Sequence, residues 1–406
     1  MKNKKILLSL FVLLASATFS NAQISGADAY MKGNYVEIGI SGLGGFEGAP
    51  CDSTTVPFGM HYRSNNPYFG FVANPQMDSW TNFDGDFFTP GSPENGWGYE
   101  IGDTGSVATG TKAGNNCASL QQVNGAITSW SYAAGQTTCD WEGDATSGTN
   151  IHFKINYQLQ DNDLFYITTV FVTNNTSSPI TDFYYDRNLD PDNNIMLSSD
   201  YTTQNTILSQ ISAGGSNTSV SATQSLPWSS YFEFVAVDSN WVAGFGGFTN
   251  RDASDMYNGV GFTQAVGATN FADEAIHLSY KIPVLNPGGT QSFKFCTVFN
   301  ASASASAATA LSLSTVSTND ITSLENALSV YPNPFSDNTT ISINKSIQLK
   351  NAEMFVYNVI GKEMARVSDI QSHEFKLEKN NLSTGMYLYK LINNGAEIAT
   401  GKLIIK

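Results

Sequence analysis

A chain of 406 residues has room for two or three domains, and its 41% hydrophobic content is enough for a sizeable core. Only 14% of residues are charged and the net charge is −15, so hydroxyls and amides wet the surface, as in extracellular β-proteins. A field of that sign repels nucleic acid and anionic lipid, excludes nucleic-acid binding, and favours neutral partners or divalent cations.

The chain begins with Met1-Lys-Asn-Lys-Lys5, an apolar run from Ile6 to Phe19, and Ser20-Asn21-Ala22-Gln23. This reads as a secretory signal peptide over 1–22, cut between Ala22 and Gln23. The apolar run is short of the roughly 20 residues that span a bilayer, so no transmembrane segment is expected in the mature chain. Charge then divides the chain. Residues 24–325 hold eight Lys/Arg against 28 Asp/Glu, whereas residues 326–406 hold nine against seven. The four cysteines, Cys51, Cys117, Cys139 and Cys296, all fall in the acidic part. In an exported protein they predict up to two disulfides, with the pairing open.

Strand signals fill residues 23–300, among them 35–40, 151–157, 164–172, 231–237, 276–282 and 291–299. Period-two alternation and dense β-branched and aromatic residues predict an all-β class, one large antiparallel sandwich. Within it, Asp78 to Phe88 and Pro90 to Glu100 mix acids, amides, Gly, Pro and aromatics, and read as long loops on that scaffold. Planar rings beside carboxylates and amides suit neutral sugars, which makes Trp80 and Trp97 candidate glycan contacts. The alternative is packing in the core and at its rim.

The strand ending at Asn174-Asn175, followed by Pro179 to Tyr185, predicts a hairpin. This pair loosely resembles the two-sheet supersandwich of sugar mutarotases and of domains in several carbohydrate-active enzymes. Directly after it, Asp186, Asn188, Asp190 and Asp192 place oxygen side chains at alternate positions, a pattern that can converge on calcium if the backbone curls. Pro191 and Leu197 stand where an EF-hand needs Gly and Glu, so the choice lies between a different calcium loop, an Asp/Asn-rich turn and a catalytic carboxylate. The histidines of this region are His61, His152 and His277. His152 and His277 sit in alternating strands, so His61 is the first candidate for an acid or base. No HExxH, GxSxG, P-loop or dinucleotide fingerprint is present.

Residues 301–324 are small and free of aromatics, a short helix and then a linker. From 325 the texture changes to seven short alternating strands, a small Ig-like β-sandwich. Four ordered motifs mark it: Tyr331-Pro332-Asn333-Pro334, Val356 to Lys362 with Gly361, Leu382 to Tyr387 with Gly385, and the basic end from Lys402 to Lys406. In these residues the segment resembles the type A C-terminal sorting domain of the type IX secretion system of Bacteroidota. The resemblance implies Sec export, recognition of this domain by outer-membrane machinery, its removal, and release or lipopolysaccharide anchoring of the cargo. The sequence thus predicts a secreted or surface protein whose cargo is a glycan- or surface-binding, adhesin-like sandwich. The alternative is a secreted carbohydrate-active hydrolase, lyase or mutarotase-like enzyme.

Overall fold

The structure, a computed structural model, describes residues 22–25, 27–42, 57, 59–61, 70–83, 95–102, 112–116, 120–121, 123–145, 149–247, 252–317, 328–345, 347, 349–358, 362–393 and 396–406. The chain forms two compact units that divide between Leu311 and Ser312. Among the described residues, no helix is long and apolar enough to cross a membrane.

In the first unit, β1 (Ala22–Ser25), β2 (Asp28–Lys32), β3 (Val36–Ile40) and β4 (Phe71–Ala73) form a small antiparallel sheet. Two larger sheets make the sandwich. One has six strands in the order β16 (Trp241–Gly246), β18 (Ala275–Leu285), β12 (Ile180–Leu189), β5 (Asn95–Ile101), β6 (Lys112–Asn116) and β7 (Leu120–Gln121). The other has nine, in the order β17 (Thr269–Ala272), β13 (Thr203–Ser209), β14 (Thr218–Gln224), β15 (Ser230–Ala236), β19 (Thr290–Val298), β11 (Phe165–Asn174), β10 (Ile151–Gln160), β9 (Gln136–Ala145) and β8 (Val123–Ala133).

Alternation explains the core. In β10, Ile151, Phe153, Ile155, Tyr157 and Leu159 are buried, and the residues between them are not. They meet Trp97, Tyr99, Phe183 and Tyr185 of the six-stranded sheet in one apolar cluster. Arg187 also points inward, fully buried, with Nη2 2.7 Å from Asn95 Oδ1 and its guanidinium 5.1 Å above the Phe234 ring. Outside the nine-stranded sheet, α3 (Ser304–Ser317) lays Ala307 and Leu311 on Val235, Cys296 and Val298.

The predicted hairpin is not one. Strands β11 and β12 belong to different sheets, so the turn between them is an arch across the sandwich. A second arch joins β18 to β19, and Asn174 fastens the two. Its Nδ2 donates to Ser178 O and Leu285 O at 2.9 Å each, and its Oδ1 accepts from Thr176 N and Thr176 Oγ1 at 2.9 and 2.7 Å. The backbones are also laced, Asn174 N to Gly289 O at 3.0 Å and Gly288 N to Asn174 O at 2.7 Å.

The disulfide expectation is corrected for two of the four cysteines. Cys139 and Cys296 are free and buried, one inside the sandwich and the other under α3. Burial pushes the Cys139 thiol up to about 12 and raises that of Cys296 well above its ordinary value, so both stay protonated and inert. Cys51 and Cys117 lie outside the described residues.

The second unit has two antiparallel sheets. One is ordered β20 (Leu328–Tyr331), β21 (Asn338–Ile343), β24 (Glu374–Glu378), the other β23 (Glu363–Ile370), β22 (Ala352–Asn358), β25 (Gly385–Asn393), β26 (Ala396–Ile405). Between them lies a separate core that includes Phe335, Ile341, Val356, Leu391 and Leu403.

Candidate ligand cleft, acidic cluster and C-terminal signal

Across one face of the nine-stranded sheet, register aligns a row of four side chains. Phe271 on β17 stands opposite Gln204 on β13, Gln204 opposite Thr223 on β14, and Thr223 opposite Tyr231 on β15. Three strand spacings make this row about 14 Å long. An aromatic ring stands at each end, with an amide and a hydroxyl between. Phe271 is 72% exposed, which is unusual for so large an apolar side chain.

The row lines a cleft of about 510 Å³, to which Gln76, Gln224, Ser225, Ser230 and Asn300 add amides and hydroxyls. Among the described residues no lining side chain carries a formal charge, although the surrounding unit is strongly acidic. Local bonds set the walls. Gln224 Nε2 donates to Thr202 O at 2.6 Å while its Oε1 accepts from Ser225 N at 2.8 Å, and Asn300 Nδ2 donates to Pro75 O at 3.0 Å. Ser230 Oγ is buried and has no partner among the described residues. Behind the row, Tyr231 donates to Glu233 Oε2 at 2.8 Å. Burial raises the Glu233 carboxyl above the usual carboxylate range.

Trp80 and Trp97 part company. Trp97 is corrected from a glycan contact to a core residue. It lies within β5, has no exposed surface, and packs on Phe153, Tyr185 and Trp141 at centroid distances of 4.8, 5.9 and 6.3 Å. Trp80 is half-buried and stacks on His61 at 4.1 Å between ring centroids, the two rings nearly parallel at 5°. Beneath it, Glu37 accepts from His61 N at 2.6 Å, lies 3.0 Å from His61 Nδ1, and pairs with Lys32 Nζ at 3.1 Å. One face of the Trp80 ring is therefore occupied by the chain itself.

The four alternate oxygens do not gather as one loop. Asp186 and Asn188 lie in regular strand, where such positions stand about 6.8 Å apart. Asp186 Oδ2 is 3.1 Å from His277 Nδ1, both side chains fully buried on the sheet face opposite the core. Past the end of β12 the chain does curl, with Asp192 N on Asp190 O at 3.0 Å and Asn193 N on Pro191 O at 2.6 Å. There Asp190 and Asp192 meet Asp273, from the β17–β18 turn, with carboxylate oxygens all within 4.8 Å of one another. Burial first, and the Asp273 charge second, push the Asp192 carboxyl up to about 7. Two like charges at that separation cost about 3.5 kcal/mol at an effective dielectric of 20.

In the second unit the first and last motifs meet. Asn333 Nδ2 donates to Lys402 O and Asn333 Oδ1 accepts from Ile404 N, both at 2.8 Å, while Phe335 N donates to Ile404 O at 3.0 Å. Lys406 N donates to Phe335 O at 2.8 Å, and Lys406 O accepts from Lys379 Nζ at 3.0 Å. Pro332 and Pro334 have no N–H to give, so the Asn333 side chain makes the link to edge strand β26. Thr339 Oγ1 donates to Pro332 O at 2.8 Å, and Tyr331, on β20, is half-exposed. Gly385 opens β25 at φ 154°, a region that favours glycine, and Gly361 lies outside the described residues.

A family described as the secretion system C-terminal sorting domain matches residues 329–406. These residues are a type IX sorting domain. The sorting domain makes the chain a secreted or cell-surface protein and the partner of that export machinery. No curated protein sequence matches the chain. Solved structures similar to it include a polysaccharide lyase (TM-score 0.28, 11% identity, 77% of this chain and 39% of that one). Others are a heparan sulfate lyase from Pedobacter heparinus (0.25, 7%, 70% and 28%) and an α-galactosidase from Geobacillus stearothermophilus (0.31, 8%, 68% and 40%). The chain spans well under half the length of each.

The cleft row escaped sequence reading because its four residues come from four strands and none is rare. Of those strands only β15 coincides with a stretch expected from the sequence (231–237), and nothing there gives the order of the strands. Asp273 was missed for the same reason.

Proposed function

We propose that the exported cargo is a binding protein for a neutral glycan, seated along the row from Phe271 to Tyr231. The observation that carries this reading is an uncharged, amide- and hydroxyl-lined cleft with an exposed ring at its rim, inside an otherwise acidic unit. Sugar C–H faces stack on aromatic rings, while Gln204, Thr223 and Ser230 offer the donors and acceptors that sugar hydroxyls exchange. An anionic glycan would meet a repulsive field there, so neutral polymers are the class expected.

Purified secreted protein incubated with neutral and anionic polysaccharides tests this, with bound protein and released sugar ends followed together. Retention on a neutral polymer without new sugar ends, weakened in Phe271→Ala and in Gln204→Ala, is the expected result. Equal retention of wild type and both variants would remove the cleft from the account. Release of sugar ends would favour the carbohydrate-active enzyme reading instead.

A further inference from the structure

Asp192 is the anomaly of the acidic cluster. Its side chain is only 4% exposed, its Oδ1 has no hydrogen-bond partner among the described residues, and it converges on Asp190 and Asp273. Two residues on, Asn194 is 1% exposed and neither its Oδ1 nor its Nδ2 has a partner among the described residues. A carboxylate oxygen and an amide buried without partners among the described residues each cost free energy that something must offset. No ion pair from a described Lys, Arg or His reaches Asp192 or Asp273.

We propose that Asp190, Asp192 and Asp273 bind one calcium ion, which ties the β17–β18 turn to the segment that follows β12. Oxygens that share one calcium at 2.3–2.6 Å can stand at most about 5 Å apart, and these three lie inside that limit. Carboxylate oxygens alone, with no thiolate or imidazole in the group, suit a hard cation. The acidic field of the unit draws divalent cations toward the site. The ion offsets a repulsion that the fold otherwise has to bear, and it anchors β17, which stands at the edge of its sheet and, among the described strands, pairs with β13 alone. That strand carries Phe271, but the calcium site stands on its own geometry and not on the glycan reading.

The test uses the full secreted chain, melted in excess EDTA and in excess calcium, with calorimetric titration of calcium into the EDTA-stripped, dialysed protein. Wild type is expected to gain about 5 °C or more with calcium and to bind one ion. Asp192→Asn and Asp273→Asn should each abolish the gain. In EDTA, Asp192→Asn should melt at or above wild type, since it removes a buried like charge. Asp273→Asn alters an exposed side chain and keeps the fold, so loss of the gain there cannot be blamed on unfolding. Absence of both heat and shift in wild type, or a shift that survives both substitutions, would overturn the proposal.

Discussion

Replacing Asn174 with Ala removes the clamp between the two arches and leaves the strands themselves untouched. Four side-chain hydrogen bonds disappear, each worth about 1 kcal/mol net. Leu285 O also loses a donor in a buried setting, a further cost of roughly 1–3 kcal/mol. Allowing for relaxation, the loss is about 3–5 kcal/mol, a large share of the 5–15 kcal/mol that usually separates folded from unfolded states. Urea unfolding of the secreted chain, with Asn175→Ala as a neighbouring control, measures it directly. A fall in midpoint at unchanged slope is expected for Asn174→Ala and little change for the control. A loss below about 1 kcal/mol would mean that the arches are held by their backbone contacts alone, and that Asn174 does not fix the crossing between sheets.

Other perturbations separate packing from function. Trp97→Ala should cost about 3–5 kcal/mol through an unfilled core cavity, read as a lower urea midpoint; a variant as stable as wild type would contradict its place in the core. Asn333→Ala should loosen β26, raising amide exchange at Ile404 and lowering the secreted fraction, and unchanged exchange there would show that Asn333 is not the clamp. Glu233 has a folded pKa raised by burial, so its stabilising contribution is present below the unfolded value and is lost as pH rises through the folded one. Glu233→Gln should therefore gain stability relative to wild type as pH climbs out of the acid range, and a difference independent of pH would refute the assignment.

How much of this was legible in the sequence depended on whether a feature was local. Period-two alternation at 151–157 announces β10 and its buried face, and the ordered motifs from Tyr331 to Lys406 announce the sorting domain. The turn at 175–179 looks the same whether the chain returns beside its own strand or crosses to the facing sheet, because either path keeps the alternation. Trp97 was misread because Gly96 and Gly98 flank it and suggest a loop. The decisive pattern was the alternation of Trp97, Tyr99 and Ile101 against Gly96, Gly98 and Glu100, which puts the tryptophan on the core side. The cleft and the third carboxylate depend on sheet order. Nothing in the spacing of Asp192 and Asp273, or of Gln204 and Phe271, ties them together until β17 is placed beside β13.

On the proposed function, the exported unit holds a neutral glycan against Phe271 and its row. Retention of the secreted protein on insoluble neutral polysaccharide, compared between wild type and Phe271→Ala, tests it most directly. Retention by wild type and a loss of about two- to tenfold in the variant are expected, since a stacked ring contributes about 0.5–1.5 kcal/mol. Equal retention of the two proteins, or none of either across the neutral polymers, would contradict it.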